Sequence, residues 1–481
     1  MKKNQKNKFY ITTPIFYIND IPHIGHAYAT IAADTLARYY RGKLGEENVL
    51  FVTGTDENSQ KTINAAESKG MDVQEYTDET AKKWQDTFSK LGITYSRFIR
   101  TTDDDHNNTV RDILTKVYEN GDIYKGIYEG LYCVGHEAFM KSEDLIDGLC
   151  PDHNKAPETI KEENWFFRLS KYQDKLLKYI EDNPKFIRPE SRRNEVLSFI
   201  KNKGLEDFSI SRESQSWGIE LPFDKTQVAY VWFDALLNYV TAAGYGTDEF
   251  KKWWPADLHL VGKDITKFHC IYWPAMLWSA GLELPEQIFA HGFFNIEGNK
   301  MSKSLGNSVS PLDLVEKYGN DALRYYLLRE ISFGNDGDFS MNRFKVLYES
   351  ELANTLGNLV SRTAAMLKKY NNSEYIVNLD VKSLVGLEDF IVNLEFEKYL
   401  SEIFSRLTAL NVAIEDNKPW ELIKNDKKKA VEFLSSVALE IISIADDLKY
   451  FLPDTCESIL KIFNDGRVDD TVGILFPRLD M

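Results

Sequence analysis

Residues 9–41 restrict the fold more than any other stretch. The apolar run Phe9-Tyr-Ile-Thr-Thr13 reads as a buried strand, and beyond Pro22 the period changes, with Tyr28, Ile31, Ala32, Leu36 and Tyr39 recurring near helical spacing over residues 27–41. A strand that hands over to a helix through a short turn is half of a parallel βαβ unit. The turn holds His23-Ile24-Gly25-His26. A helix opening there leaves backbone N–H groups without intrahelical partners, and two imidazoles three residues apart add donors beside them, so the turn suits a phosphate. Taken alone, the same string is equally a capped helix start with two surface histidines.

The alternation continues. Residues 49–53 form a second strand ending in Gly54-Thr-Asp-Glu57, helices are expected over 59–69, 73–91 and 105–120, and a short strand lies near Phe98. After a different pattern between 121 and 222, helix and strand return as helices over 231–243 and 265–280 and strands over 258–261 and 288–291. This predicts an α/β fold with a doubly wound, Rossmann-like parallel catalytic sheet, whose ligands sit at the carboxyl ends of the strands. From Arg343 onward helical periodicity dominates, implying an all-α bundle at the C-terminal end. Ser310-Pro-Leu-Asp313 reads as a helix start, with Ser as N-cap and Pro at the first helical position. The expected division is 1–120 and 223–298 for the two halves of the catalytic domain, 121–222 for an inserted connective domain, 299–340 for a basic loop and the segment after it, and 341–481 for the helical domain.

With 481 residues the chain is long enough for several cores, and its apolar runs are too short to span a bilayer. Four cysteines are too few for a disulfide framework at this length, and the basic N-terminus is followed by a run broken at Pro14, Asn19 and Asp20. A cytoplasmic protein with no membrane association is expected. A formal net charge of -16 argues against indiscriminate nucleic-acid binding, so any polynucleotide partner must be recognised by shape and specific contacts.

The second informative stretch is Lys300-Met-Ser-Lys-Ser304, set among Gly and Asn. Two ammonium groups three residues apart with two hydroxyls suit the polyphosphate of a nucleotide, where charge develops as a bond to phosphorus breaks. With both signatures in this order on an α/β chain, the sequence resembles the class I aminoacyl-tRNA synthetases, and within them the methionine-specific family. The resemblance covers essentially the whole chain. It is most specific in Val231-Trp-Phe-Asp-Ala-Leu-Leu-Asn-Tyr239, in Gly262-Lys-Asp-Ile-Thr-Lys-Phe-His269 with Trp273-Pro274, and in Asn354-Thr-Leu-Gly-Asn-Leu-Val-Ser-Arg362.

The resemblance implies ATP, L-methionine and the methionine tRNA as partners, with Mg²⁺ accompanying ATP. His23, Gly25 and His26, together with Lys300, Ser302 and Lys303, would hold ATP phosphates and pyrophosphate, His23, His26, Lys300 and Lys303 being the catalytic groups. Gly262 and Asp264 would meet the adenosine moiety, although Asp264 could equally cap a helix. The methionine pocket would take Ile15, Tyr17, Trp232, Leu236, Tyr239, Ile265 and His269, with Asp56 on the α-amino group. Physically, a thioether wants aromatic and aliphatic walls and an ammonium wants a carboxylate. The bland alternative for Trp232, Leu236 and Tyr239 is a core helix face.

In the insertion, Cys133-Val-Gly-His136 and Cys150-Pro-Asp-His153 are two C-x-x-H pairs separated by 13 residues, a spacing that suits a structural, tetrahedral Zn²⁺. In the helical segment the resemblance places Asn358, Arg362 and Trp420 on the tRNA anticodon; a surface polar pair and a core Trp are the plain alternatives. Many relatives carry His where this chain has Asn58. No appended module is expected, and a monomer follows. The rivals are another class I synthetase and a non-catalytic tRNA-binding relative. The first needs a longer insertion or a catalytic zinc, and the second has no use for paired phosphate-binding groups.

Overall fold

The computed structural model describes residues 7–133, 138–140, 142–151, 154–213, 215–296, 298–300, 309–379, 386–469 and 473–479. By internal contacts the chain divides into two compact units. One comprises Met1–Pro22, Tyr40–Ser89 and Ile93–His291; the other comprises His23–Tyr39, Lys90–Gly92 and Gly292–Met481.

The first unit is built on a six-stranded sheet of β1 (Phe9–Tyr17), β2 (Val49–Asp56), β3 (Arg97–Arg100), β4 (Ile187–Arg188), β5 (Leu258–Gly262) and β6 (Ile288–His291). The order is β3-β2-β1-β5-β6-β4, and every neighbouring pair is parallel. Strand order reverses between β1 and β5, which in such sheets opens a crevice at the carboxyl ends. β2 and β5 are buried along their whole length, as expected for a sheet covered on both faces.

β1 runs four residues beyond the expected Thr13. The sheet absorbs Pro14 as an irregularity: register with β2 shifts between Thr12 and Ile15, where a residue without an N–H does least harm. Pairing then resumes as Ile15 with Gly54 and Tyr17 with Asp56. Gly54 is required by its neighbour strand, since a Cβ there would lie 1.9 Å from the Ile99 carbonyl oxygen.

Residues 121–222, where the strand and helix alternation was expected to lapse, supply a sheet of their own. Ile123–Cys133 pairs antiparallel with Glu158–Phe167 over ten residue pairs, flanked by Ala138–Met140 and Phe208–Ser209. The segment also contributes β4 to the edge of the parallel sheet. The expected helix over 265–280 is broken into a 3-10 turn (Lys263–Ile265), a π turn (Phe268–Tyr272) and an α-helix (Trp273–Ser279). That over 231–243 is two short helices, Val231–Leu236 and Asn238–Ala242.

The second unit takes residues up to Tyr39 of helix α1 (Ile24–Leu44), which is Ala-rich and carries Arg41 and Lys43 in its last turn. Ser310 caps Pro311–Tyr318, accepting from the Asp313 N–H. Helices Asn358–Asn371, Phe396–Asn417, Lys427–Leu448 and Pro453–Ile462 dominate the C-terminal part, with a short hairpin of Phe463–Asn464 and Arg467–Val468 that helical periodicity did not foretell. Among the described residues, no helix is long and apolar enough to cross a membrane.

Candidate functional site

His23 and His26 open α1, and their spacing has a structural cause. The His23 Nδ1 accepts from the Gly25 N–H at 3.1 Å, as an N-cap oxygen would, and the His26 Nδ1 reaches back to the His23 N–H at 3.2 Å. This is the reciprocal pattern of a capping box, made with imidazoles. The Ile24 N–H is taken by the Val309 carbonyl. The expectation of unpaired backbone donors at this turn is therefore corrected: these N–H groups are satisfied within the protein.

That capping assigns the tautomers. A ring nitrogen that accepts from an N–H carries no proton, so both neutral rings bear theirs on Nε2. The rings stack with centroids 3.7 Å apart. Burial lowers the pKa of His23 to about 4, and burial followed by the neighbouring His23 drives that of His26 well below the ordinary value. Two neutral imidazoles side by side, each carrying its proton on Nε2, have N–H donors of the kind that anionic oxygens accept from at pH 7.

A second constellation lies in the sheet-based unit. Leu236 and Tyr239 belong to its buried core, and Ile15, Trp232, Ile265 and Phe268 pack against that core. Trp232 stacks on Phe268 at 3.7 Å, and the His269 ring stands edge-on to Trp232 at 6.4 Å. His269 Nδ1 lies 3.0 Å from the Ile265 carbonyl, which can only accept, so Nδ1 carries the proton and Nε2 accepts from the Tyr239 hydroxyl at 2.7 Å. Burial holds His269 neutral, with its pKa lowered to about 4. Burial also raises the Tyr239 phenol, and the Asp56 carboxylate adds in the same direction.

Asp56, 4 % exposed, ends β2 opposite Tyr17. Its neighbour Glu57 clamps the strand end: Arg100 donates Nε to Oε1 at 2.8 Å and Nη2 to Oε2 at 2.9 Å, while Trp217 Nε1 donates to the Glu57 carbonyl. The result is an apolar, aromatic cluster with the buried Asp56 carboxylate near Tyr239, a chemistry suited to a small amphiphile with an ammonium group. Phe268 and the Glu57 clamp escaped the sequence reading. Phe268 lay inside a quoted motif, whereas nothing local marks Trp217.

Gly262 ends β5, and Asp264 stands exposed within the 3-10 turn that follows, so the helix-cap alternative for Asp264 fails. Lys300 closes a two-residue strand paired with Asn295. Ser302 and Lys303 lie outside the described residues, as do His136 and His153. Cys133 ends its strand beside a hairpin, and Cys150 opens a tight turn in which its carbonyl accepts from the Asn154 N–H at 2.8 Å; both thiols are buried. Two buried cysteines supply thiols of the kind a structural Zn²⁺ would take. Among the described residues no group of three or more His, Cys, Asp and Glu side chains could hold a metal ion. In the helical segment the Arg362 guanidinium lies 4.9 Å from the Trp420 ring and pairs with Glu415 at 2.5 Å, while Asn358 is exposed.

Comparison with known proteins agrees with this geometry. The family model described as tRNA synthetases class I (M) matches residues 9–157 and 140–364. The methionine--tRNA ligase of Caldanaerobacter subterraneus is 44% identical over 99% of this chain and 80% of its own length. That of Nostoc is 46% identical over 91% of this chain and 86% of its own. A Mycobacterium tuberculosis methionyl-tRNA synthetase solved with methionyl-adenylate superposes with a TM-score of 0.92 at 36% identity, covering 98% of this chain and 100% of that one. The strand order, the paired histidines and the full-length similarity lead to one conclusion: the chain belongs to the methionyl-tRNA synthetase family of class I aminoacyl-tRNA synthetases.

Proposed function

We propose the following division of labour for a chain that joins L-methionine to its tRNA in two steps. In the first, a methionine carboxylate oxygen attacks the α-phosphorus of ATP, the bond to the bridging oxygen breaks, and pyrophosphate leaves. In the second, a hydroxyl of the terminal tRNA adenosine attacks the methionyl carbonyl and AMP leaves. Neither step requires a protein nucleophile, so catalysis rests on positioning and charge stabilisation.

Asp56 takes the α-ammonium group. Trp232, Leu236, Tyr239, Ile265 and His269 receive the thioether side chain, with Ile15 and Tyr17 on the strand side. The observation that carries this reading is the neutral Tyr239–His269 pair beside the buried Asp56 carboxylate. This cluster offers charge to one end of the amino acid and only neutral, polarisable surface to the other. The Nε2–H groups of His23 and His26 bind ATP phosphate oxygens, Gly25 lets the backbone approach, and Lys300, Ser302 and Lys303 hold the departing pyrophosphate. Gly262 and Asp264 meet the adenosine. Mg²⁺ enters with the nucleotide and offsets its charge.

Arg362, stacked on Trp420, and Asn358 on the same helix read the anticodon by stacking and base-edge contacts. Zn²⁺, held by Cys133, His136, Cys150 and His153, folds the 121–222 insertion and takes no part in the chemistry. Residues 1–120 with 223–298, 121–222, 299–340 and 341–481 serve as the catalytic, connective, pyrophosphate-loop and anticodon segments. The protein works in the cytoplasm, where its tRNA is.

The test is amino-acid-dependent ATP–pyrophosphate exchange with a panel of amino acids. Methionine should support exchange; none at all, or exchange with a different amino acid in its place, would overturn the reading. Lys303→Ala should lower exchange by about 10²-fold or more with methionine affinity retained. A collapse of methionine affinity instead would remove the role given to that lysine.

A further inference from the structure

One buried polar cluster in the sheet-based unit is not used by the scheme above. Asp234 is a fully buried carboxylate in the otherwise apolar helix Val231–Leu236, two residues after Trp232 and two before Leu236. Its Oδ1 lies 2.6 Å from His106 Nε2, and its Oδ2 accepts from Asn58 Nδ2 at 2.8 Å. Asn58 stands two residues after Asp56, and its Nδ2 also donates to the Thr101 carbonyl at 3.1 Å. His106, itself fully buried, places its other nitrogen 3.2 Å from Thr241 Oγ1 on the helix Asn238–Ala242, beside Tyr239.

One carboxylate thus bridges the loop that presents Asp56 and the helix that presents Trp232 and Leu236. A buried carboxylate is costly unless each oxygen finds a donor, and both do here. The helix it sits on is only six residues long, with no side-chain N-cap and an otherwise apolar packed face, so Asp234 is its directional polar link to the segment after β2. Asparagine is no substitute. An amide offers one accepting oxygen to two donors, and its own NH₂ would face the second.

We propose that Asp234 is a positioning residue for methionine recognition. Through Asn58 and His106 it sets the separation between the carboxylate that meets the amino acid's ammonium group and the aromatic wall that meets its side chain. The proposal rests on the reading that Asp56 and Trp232 contact methionine. A purely structural staple would weaken the whole unit instead, so the two roles separate in the kinetics.

In ATP–pyrophosphate exchange, Asp234→Asn should raise the methionine KM about tenfold, because small misplacements of binding groups are costly, and leave the ATP KM within about twofold. Combined with Asp56→Asn, the same change should add less than about twofold, since the group it positions no longer pairs with the ammonium. Asn58→Ser, a milder change in the loop, should shift the methionine KM in the same direction and carries the test should Asp234→Asn not fold. An unchanged methionine KM in a folded variant, a parallel rise in both KM values, or full additivity with Asp56→Asn would overturn the proposal. If Asp56→Asn and Trp232→Ala themselves leave the methionine KM at the wild-type value, the pocket reading fails first and takes the proposal with it.

Discussion

His23 and His26 show how one pair of residues can serve structure and chemistry at once. Each Nδ1 caps α1, and that capping forces the proton onto Nε2. Their neutrality has a cost in acid. His23 and His269 both have folded pKa values lowered to about 4, against about 6.5 in an unfolded chain. Between these values the unfolded chain binds protons that the folded one refuses, so stability is full above about pH 6.5 and falls as pH drops toward 4. Urea midpoints should decline over that window, with His269 alone accounting for about 2 kcal/mol at pH 5. His269→Gln should flatten the slope, and an unchanged slope would count against a buried neutral His269. Tyr239→Phe removes the hydroxyl that donates to His269 Nε2 and leaves that buried acceptor unpaired. The expected loss is about 1–3 kcal/mol in chemical denaturation.

Among the elements, α1 is secured by charge buried along its length. Asp34 accepts from Arg38 Nε at 2.7 Å and pairs with Arg324 at 2.8 Å, both Asp34 and Arg324 being fully buried. Arg324 also donates Nε to the Phe451 carbonyl and Nη2 to that of Tyr450, so one guanidinium holds α1, the helix Asn320–Arg329 and the chain leaving Lys427–Leu448. Replacing one partner of a buried pair leaves the other charge poorly compensated. Arg324→Met should therefore destabilise the second unit by about 3 kcal/mol, visible as a lower urea midpoint, and a loss below about 0.5 kcal/mol would show the pair to be dispensable. A different constraint acts on β2. Gly54→Ala would drive a Cβ into the Ile99 carbonyl and should yield poorly folded protein, read by circular dichroism, although Ala otherwise suits a strand interior better than Gly.

For the whole molecule, the proposed zinc makes a sharp prediction. Purified protein should contain about one equivalent of Zn²⁺, and Cys133→Ser with Cys150→Ser should abolish it and lower the thermal midpoint. Metal-free protein with an unchanged midpoint in the double variant would remove the metal from the scheme. Much of the architecture was legible from the chain alone, because parallel sheets bury both faces and their strands and helices announce themselves through period and turn residues. The strands near residues 9–13, 49–53 and 98 and the Ser310 cap were readable in this way, whereas α1 opens three residues before the expected 27. Local chemistry singled out His23 and His26 as a pair, since a strand, a turn and two imidazoles lie within one continuous stretch. What the sequence could not decide was pairing between distant residues. Whether Pro14 ends β1 depended on what β2 tolerates beside it; which donors satisfy Asp234 depended on residues 58 and 106; and which tautomer His269 adopts depended on Tyr239 and the Ile265 carbonyl. Each of these is settled by desolvation, which makes an unmatched buried polar group costly, and only tertiary structure determines which groups are buried together.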